Sequence, residues 1–449
     1  MGCSPCRLAG WLPPGLSHSL PRFAVVAVSL ALFAGAMSPA VASAARRDIV
    51  HLFVRSPVLV RAGERVQIPV DAVCSTPAGR VCPTAVGLFY ASNGAWRSTS
   101  ASASAGLRFD TSALAAPVPD GAVRFRVTAR PYGASSISVP GPGEGGSLAY
   151  YVTDDMPSIP VPAVAFGKVE AGKPVLVLPW GSGPLRAGLR PALESAAVGP
   201  SSFDVDAAGH VLVADQLHGR VAEFNGASIV RQTALPLSSR TDVVFADGGA
   251  AYVATDADAT APQATVTSLD PTGAVTGTEP VGAPGDRLSE LRTAGADAYA
   301  HVLPLDGWLG PDTGSATTGM PLAGGDQLLK IVDGHAVRLG TVRDGQVSDA
   351  VELTFSTNVG ELALAEPDGS GGYFAVVHVW QETPTRADQY EVVHVRADHS
   401  VATFAVANQD YTDSMPLSKF RLGQDGQLYA LQSLADGVRI VRYDLGGIR

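Results

Sequence analysis

The chain has 449 residues, 46% of them apolar and only 16% charged, with 49 glycines and 33 prolines. That mix suits many short strands joined by tight turns, is ample for two or three cored domains, and suits long helices poorly. The formal net charge of −10 lacks the basic footprint of a nucleic-acid binder and disfavours adhesion to an anionic membrane surface.

Residues 1–44 read as an export signal. Arg7 and Arg22 supply positive charge, and Phe23 to Met37 is an apolar run of 15 residues. Ser38-Pro39 then breaks the run, and Ala42-x-Ala44 offers the small side chains that signal peptidase requires. Cleavage is expected between Ala44 and Ala45, leaving a secreted chain with a net charge of −12 and no inserted segment. Cys3 and Cys6 leave with the signal. Cys74 and Cys82 are expected to form a disulfide in an oxidising compartment, across a turn that contains Pro77 and Gly79.

Residues 45–155 alternate strand-like runs with turn chemistry. Asn93-Gly94 is a hairpin signal. Val123, Phe125 and Val127 alternate with Arg124, Arg126 and Thr128, a period of two that turns one face inward. About seven short strands in this length suggest an immunoglobulin-like or fibronectin-like β-sandwich. It would serve as a positioning or adhesive module. Residues 156–172, with Pro157, Pro160 and Pro162, read as a stiff Pro-rich linker.

From 173 to 449 one phrase recurs: a strand, a Gly-containing turn, then a strand rich in Val, Ala and Tyr. The clearest copy is FDVDAAGHVLVADQLHGRVAEF, Phe203 to Phe224. Weaker copies centre on Asp247-Gly248, Gly295, Asp368-Gly369 and Asp425-Gly426. Uneven spacing at this scale means the blades of a β-propeller. Five are visible, and the weakly patterned stretch 310–360 leaves room for a sixth. The segment 203–224, with its lead-in VLVLPWGSGP (175–184) and Gly199-Pro200, resembles an NHL repeat. The family's Asp and Arg match Asp215 and Arg220. The resemblance implies fold far more than activity. It also implies that 175–180 is an outer strand without a sheet of its own. The chain ends on three strands, at about 419–422, 427–432 and 438–443, so these two extremities are expected to pair and close the ring. Closure removes sheet edges that template aggregation.

Asp215 and Arg220, five apart across a tight loop, are expected to make a structural ion pair. Function is expected on the face carrying the loops between second and third strands, at Thr255 to Gln263, Leu303 to Asp326 and Gln381 to Gln389, joined by 181–200. That face would present Asp256, Asp258, Asp306, Trp308, Asp312, Trp380, Glu382 and Arg386. Acids beside exposed tryptophan suit a sugar or a cation; the same tryptophans also suit packing beneath their loops. Asp256-Ala-Asp258 lacks the glycine and terminal Glu of an EF-hand. The nine histidines show no zinc-binding spacing, and no nucleophile elbow is present. No catalytic residue, metal or cofactor is assigned. The reading is a secreted, monomeric binding or scaffold protein for a protein or glycan partner. The alternative is a propeller enzyme (lactonase, lyase or glycosidase) with acids gathered in the central channel.

Overall fold

The computed structural model describes residues 49–448, except 55, 57, 65, 67, 69, 76–84, 93–94, 106–107, 110–120, 130–136, 141–146, 192–196, 258–261, 304, 311–315 and 413–415. The signal and its cleavage point at Ala44/Ala45, Cys82 and hence the Cys74–Cys82 bond, Asp258 and Asp312 lie outside the described residues. Among the described residues no helix is long and apolar enough to cross a membrane.

Seven sheets are formed. Residues 49–153 make one hydrogen-bonded path of eight strands, with Ile137–Val139 added beside Gly121–Ala129 as the ninth. The hydrogen bonds run on from one half to the other through a single long strand. Ala95–Ala105 is 11 residues long. It pairs with Ala85–Ser92 along its first part and with Arg108–Phe109 at its end. The expected alternation holds in Gly121–Ala129, where Val123, Phe125, Val127 and Ala129 are buried while Arg124 and Arg126 face water. Leu52, Val54 and Val70 from one half meet Phe125 and Tyr150 from the other in a shared core, which continues into Val266, Leu288, Leu291 and Leu309.

The other six sheets have four or five strands each, built in order from residues 202–234, 241–281, 287–317, 320–354, 358–407 and 420–443. Their leading strands neighbour one another in succession. Ser202–Val205 lies beside Thr241–Phe245, which lies beside Arg287–Ala294, and the series returns through Asn358–Pro367 and Phe420–Leu422 to Ser202–Val205. The ring is a β-propeller. Five or six blades were expected; seven sheets are formed, the six whose leading strands succeed one another round the ring and the nine-stranded one beside them. The stretch 310–360 carries a whole sheet whose turns, at Asp333-Gly334 and Asp344-Gly345, lack the Val-Ala-Tyr strand that marked the others.

Lys173–Pro179 closes the last sheet by pairing antiparallel with Gly437–Tyr443, Leu176 opposite Ile440 and Leu178 opposite Val438. Both leucines are buried while Val177 between them is exposed, as one-sided packing of an outer strand requires. Inner strands differ. Val211–Asp215 is buried at every position and Ser228–Ala234 at none. A strand covered on both faces reads as a continuous apolar run, and an outer strand as an alternating one. Ser158–Pro160, within the proline-rich stretch, lies parallel to Gln346–Thr354 as a fifth strand, with Ile159 buried. A proline is tolerated at such an edge because its missing N–H costs no ladder bond.

Candidate functional site

Asp215 and Arg220 are opposite one another on neighbouring strands. Gly219 adopts φ +58° just before Arg220, ending the short 216–218 turn. Both charges are buried, and the guanidinium Nη2 lies 3.1 Å from the carboxylate. His218 Nδ1 is 2.6 Å from the same oxygen, and Gly188 N–H donates to the other at 3.2 Å. Arg220 also donates to the carbonyls of Gly183 and Arg186. The group ties the 181–188 connection to its sheet and leaves neither charge open to a ligand.

The proposed ligand face divides. Asp256 is 2% exposed. One oxygen takes the Leu288 N–H at 2.8 Å and the other lies 2.7 Å from Arg287 Nε, so this acid fastens two sheets. Trp308 is also 2% exposed, packed under Lys330, whose Nζ is 5.6 Å from the ring, and beside His301. Both are removed from the ligand face: the insertion Leu303 to Asp326 is not one loop but the short strands Gly307–Leu309, Ala316–Thr317 and Met320–Pro321, which draw Trp308 inward. Asp306 lies 3.4 Å from His301 Nε2 and accepts the Ser56 N–H at 3.4 Å, so the 49–153 sheet approaches it.

Trp380, Glu382 and Arg386 are brought together. They line a cavity of about 620 Å³ with His378, Gln381, Ala387 and Asp388. The cause is legible in the hairpin Tyr373–Gln381 and Ala387–Val395. Trp380 stands opposite Asp388 and His378 opposite Tyr390, so the two-residue period puts all four on one face. Val379 and Gln389 take the other face and are buried. Thr357 Oγ1 donates to the Trp380 carbonyl at 2.7 Å. Asp388 Oδ2 accepts from Asn408 Nδ2 at 2.6 Å and lies 3.3 Å from His378 Nε2. Burial would raise the Asp388 pKa, but the Asn408 and His378 hydrogen bonds and the nearby Lys419 charge hold it below the usual carboxylate range. Gly360 makes room for His378: a Cβ there would meet its Nδ1 at 2.4 Å.

A second cavity, about 290 Å³, lies where the leading strands of the ring begin. Arg240, Glu290, Arg292, Glu361 and Lys419 line it, from four sheets. Sequence reasoning missed every one of them. Glu290 takes Lys330 Nζ at 2.8 Å and Arg292 Nε at 2.6 Å, and Arg292 also binds Glu366. Burial works against the Glu290 carboxylate, yet Lys330 and Arg292 hold its pKa well down. Tyr390 Oη donates to Glu361 at 3.0 Å. Lys419 Nζ donates to Asn408 Oδ1 and Asp410, at 2.6 and 2.7 Å; burial lowers its pKa and Asp410 offsets part of that.

Deeper in the wall Arg421 meets Asp242 at 2.7 Å, with side-chain exposures of 2% and 0%. The guanidinium also donates to the carbonyls of Phe203, Val243 and Leu291, and Asp242 accepts the Leu291 N–H and the Ser418 hydroxyl. One ion pair therefore joins four leading strands. Its sequence signal is a charged residue inside a short apolar run, as in Thr241-Asp242-Val243-Val244 and Phe420-Arg421-Leu422.

Among the described residues Asp206, His210 and Glu223 have spacing suited to a metal ion. They are engaged with one another and with their neighbours: His210 Nδ1 lies 3.2 Å from Asp206 and 3.1 Å from Glu223, Asp206 accepts the Ala208 and His210 N–H groups, and Arg231 Nε lies 2.6 Å from Glu223.

No family model matches the chain, and no curated relative matches it. Solved structures that resemble it include a streptogramin B lyase at 11% identity, covering 56% of this chain and 96% of the other with a TM-score of 0.33. A virginiamycin B lyase from Staphylococcus aureus gives 8%, 54%, 95% and 0.34. A gluconolactonase from Xanthomonas campestris gives 10%, 61%, 99% and 0.24. At these values the likeness says nothing about what this chain acts on.

Proposed function

We propose that this is an exported binding protein, which engages a glycan or protein partner through the propeller face around Trp380. The observation that carries this reading is the cavity where Trp380, Glu382, Arg386 and Asp388 converge. Its volume falls within the roughly 300–1,000 Å³ of small-molecule sites. Glu382 and Arg386 are exposed and have no ion-pair or hydrogen-bond partner among the described residues. Export is supported by the arginine, apolar and Ala42-x-Ala44 sequence of the leader. An NHL-like character for 173–226 is supported by the Asp215–Arg220 pair, and an immunoglobulin-like one for 49–153 by the core that Leu52, Val54 and Val70 share with Phe125 and Tyr150. The test is capture from culture, together with a glycan array, using the mature chain and the triple variant Trp380→Ala, Glu382→Ala, Arg386→Ala. Binding should vanish in the variant; undiminished binding removes this face from consideration.

The second reading is a propeller enzyme. Convergence of Glu290 and Glu361 from different sheets favours it. Turnover of lactones or aryl glycosides that is lost in Glu361→Gln would establish it.

A further inference from the structure

The cavity around Trp380 differs from the other charged clusters in having unused hydrogen-bonding capacity. Both bonds to Asp388 fall on Oδ2, and Oδ1 takes none from the described residues. The Asp388 side chain is 47% exposed, so Oδ1 is open to an incoming donor. The Trp380 indole N–H likewise has no acceptor among the described residues. Glu382 adds acceptors and Arg386 adds donors.

The orientation of Asp388 is set from behind. Lys419 Nζ can only donate, so the Asn408 oxygen must face it, and the Asn408 amide N–H₂ must then face Asp388. Lys419 is in turn held by Asp410 and by the face of Tyr390, with Nζ 4.6 Å from the ring centroid. The series Asp410, Lys419, Asn408, Asp388 therefore fixes which carboxylate oxygen looks into the cavity.

The charge pattern narrows the ligand. Glu382 and Asp388 repel an anion, and Arg386 repels a cation. An uncharged ligand rich in hydroxyls can use carboxylate acceptors and a guanidinium donor together. Its ring C–H groups fit the electron-rich face of an indole. Resting on the binding face proposed above, we propose that this cavity is a subsite for a neutral pyranose, with Trp380 as the stacking platform, Asp388 Oδ1 as the hydroxyl acceptor and Asn408 as its positioning residue.

The test is saturation-transfer NMR and calorimetry on the full mature chain. The probes are methyl glucopyranosides, galactopyranosides and mannopyranosides of both anomers, with methyl glucuronide as the charged control. At least one neutral pyranoside should show transfer, and the glucuronide should bind less well than the glucoside. Trp380→Ala should abolish the signal, and Trp380→Phe, which keeps a ring beneath the loop, should weaken it. Asp388→Asn should cost about tenfold in affinity, the order of one charge-assisted hydrogen bond. Asn408→Leu should cost a similar factor and also move the acid limb of the binding profile to higher pH, because Asp388 loses its strongest anchor while His378, Lys419, Asp410, Glu382 and Arg386 stay in place. Absence of transfer from every neutral pyranoside, or transfer that survives Trp380→Ala, would overturn the assignment. An unmoved pH limb in Asn408→Leu would overturn the positioning role. Blank titrations alongside culture capture that still needs Trp380 would discard the sugar class and leave the binding face standing.

Discussion

Two charged regions lie side by side on this propeller, joined through Lys419 and Asn408, and they use their charges in opposite ways. Around the leading strands Glu290, Arg292, Lys330, Glu366, Asp242 and Arg421 are paired with one another, all but Glu290–Arg292 across sheets. At the neighbouring hairpin Glu382 and Arg386 stand unpaired among the described residues, where Asp388 likewise keeps one oxygen open. Convergence of charge alone therefore does not mark a binding site. Charges that satisfy each other hold the ring together. Charges that have nothing to satisfy are the ones available to a ligand.

The comparison predicts that damage to the first region shows in stability and damage to the second in binding. The largest effect should come from Asp242→Ala, which leaves Arg421 buried without its counter-ion. Breaking such a pair costs about 3–5 kcal/mol, read as a lowered midpoint in denaturant unfolding. Glu290→Gln should follow at about 2–3 kcal/mol, since two cations lose a charged acceptor. Wild-type midpoints for both variants would break the distinction.

Asp204 sharpens it with the opposite sign. Desolvation at its half-buried place on a leading strand raises its pKa, with Arg421, the Phe245 and Val205 N–H groups and Arg292 only partly compensating. The folded state then holds this proton more tightly than the unfolded state. Its contribution falls as pH rises from the ordinary carboxylate value, about 4, through the raised one. Asp204→Asn should therefore be more stable than wild type at neutral pH, and the advantage should shrink toward pH ~4. Unfolding curves at several pH values would show it. The smallest effect is expected at the binding face, where Glu382→Ala and Arg386→Ala should stay within about 0.5 kcal/mol of wild type in the same assay.

What the sequence disclosed follows from where each signal resides. Closure by 173–179 was legible because a lone alternating strand at one end matched a sheet short of one strand at the other. Trp380, Glu382 and Arg386 were legible because a hairpin tip exposes its residues wherever the sheet sits. Asp256 was misread because its environment is distant in the chain: the N–H that claims it belongs to Leu288, 32 residues on, while for Trp308 the packing alternative is the one the structure shows. Asp242 and Arg421 are 179 residues apart, and neither is conspicuous without the ring that joins them. The nine-stranded path of 49–153 depends on one strand serving both halves, which no local period records.

The most direct measurement is partner capture from culture by two single variants in parallel. Glu361→Gln alters the paired region at its mildest point, where the acid accepts the Tyr390 hydroxyl and no other hydrogen bond from the described residues, and Trp380→Ala alters the cavity. Capture should persist in Glu361→Gln and disappear in Trp380→Ala. Loss in Glu361→Gln with retention in Trp380→Ala, both variants folded, would contradict the account and move the site to the channel.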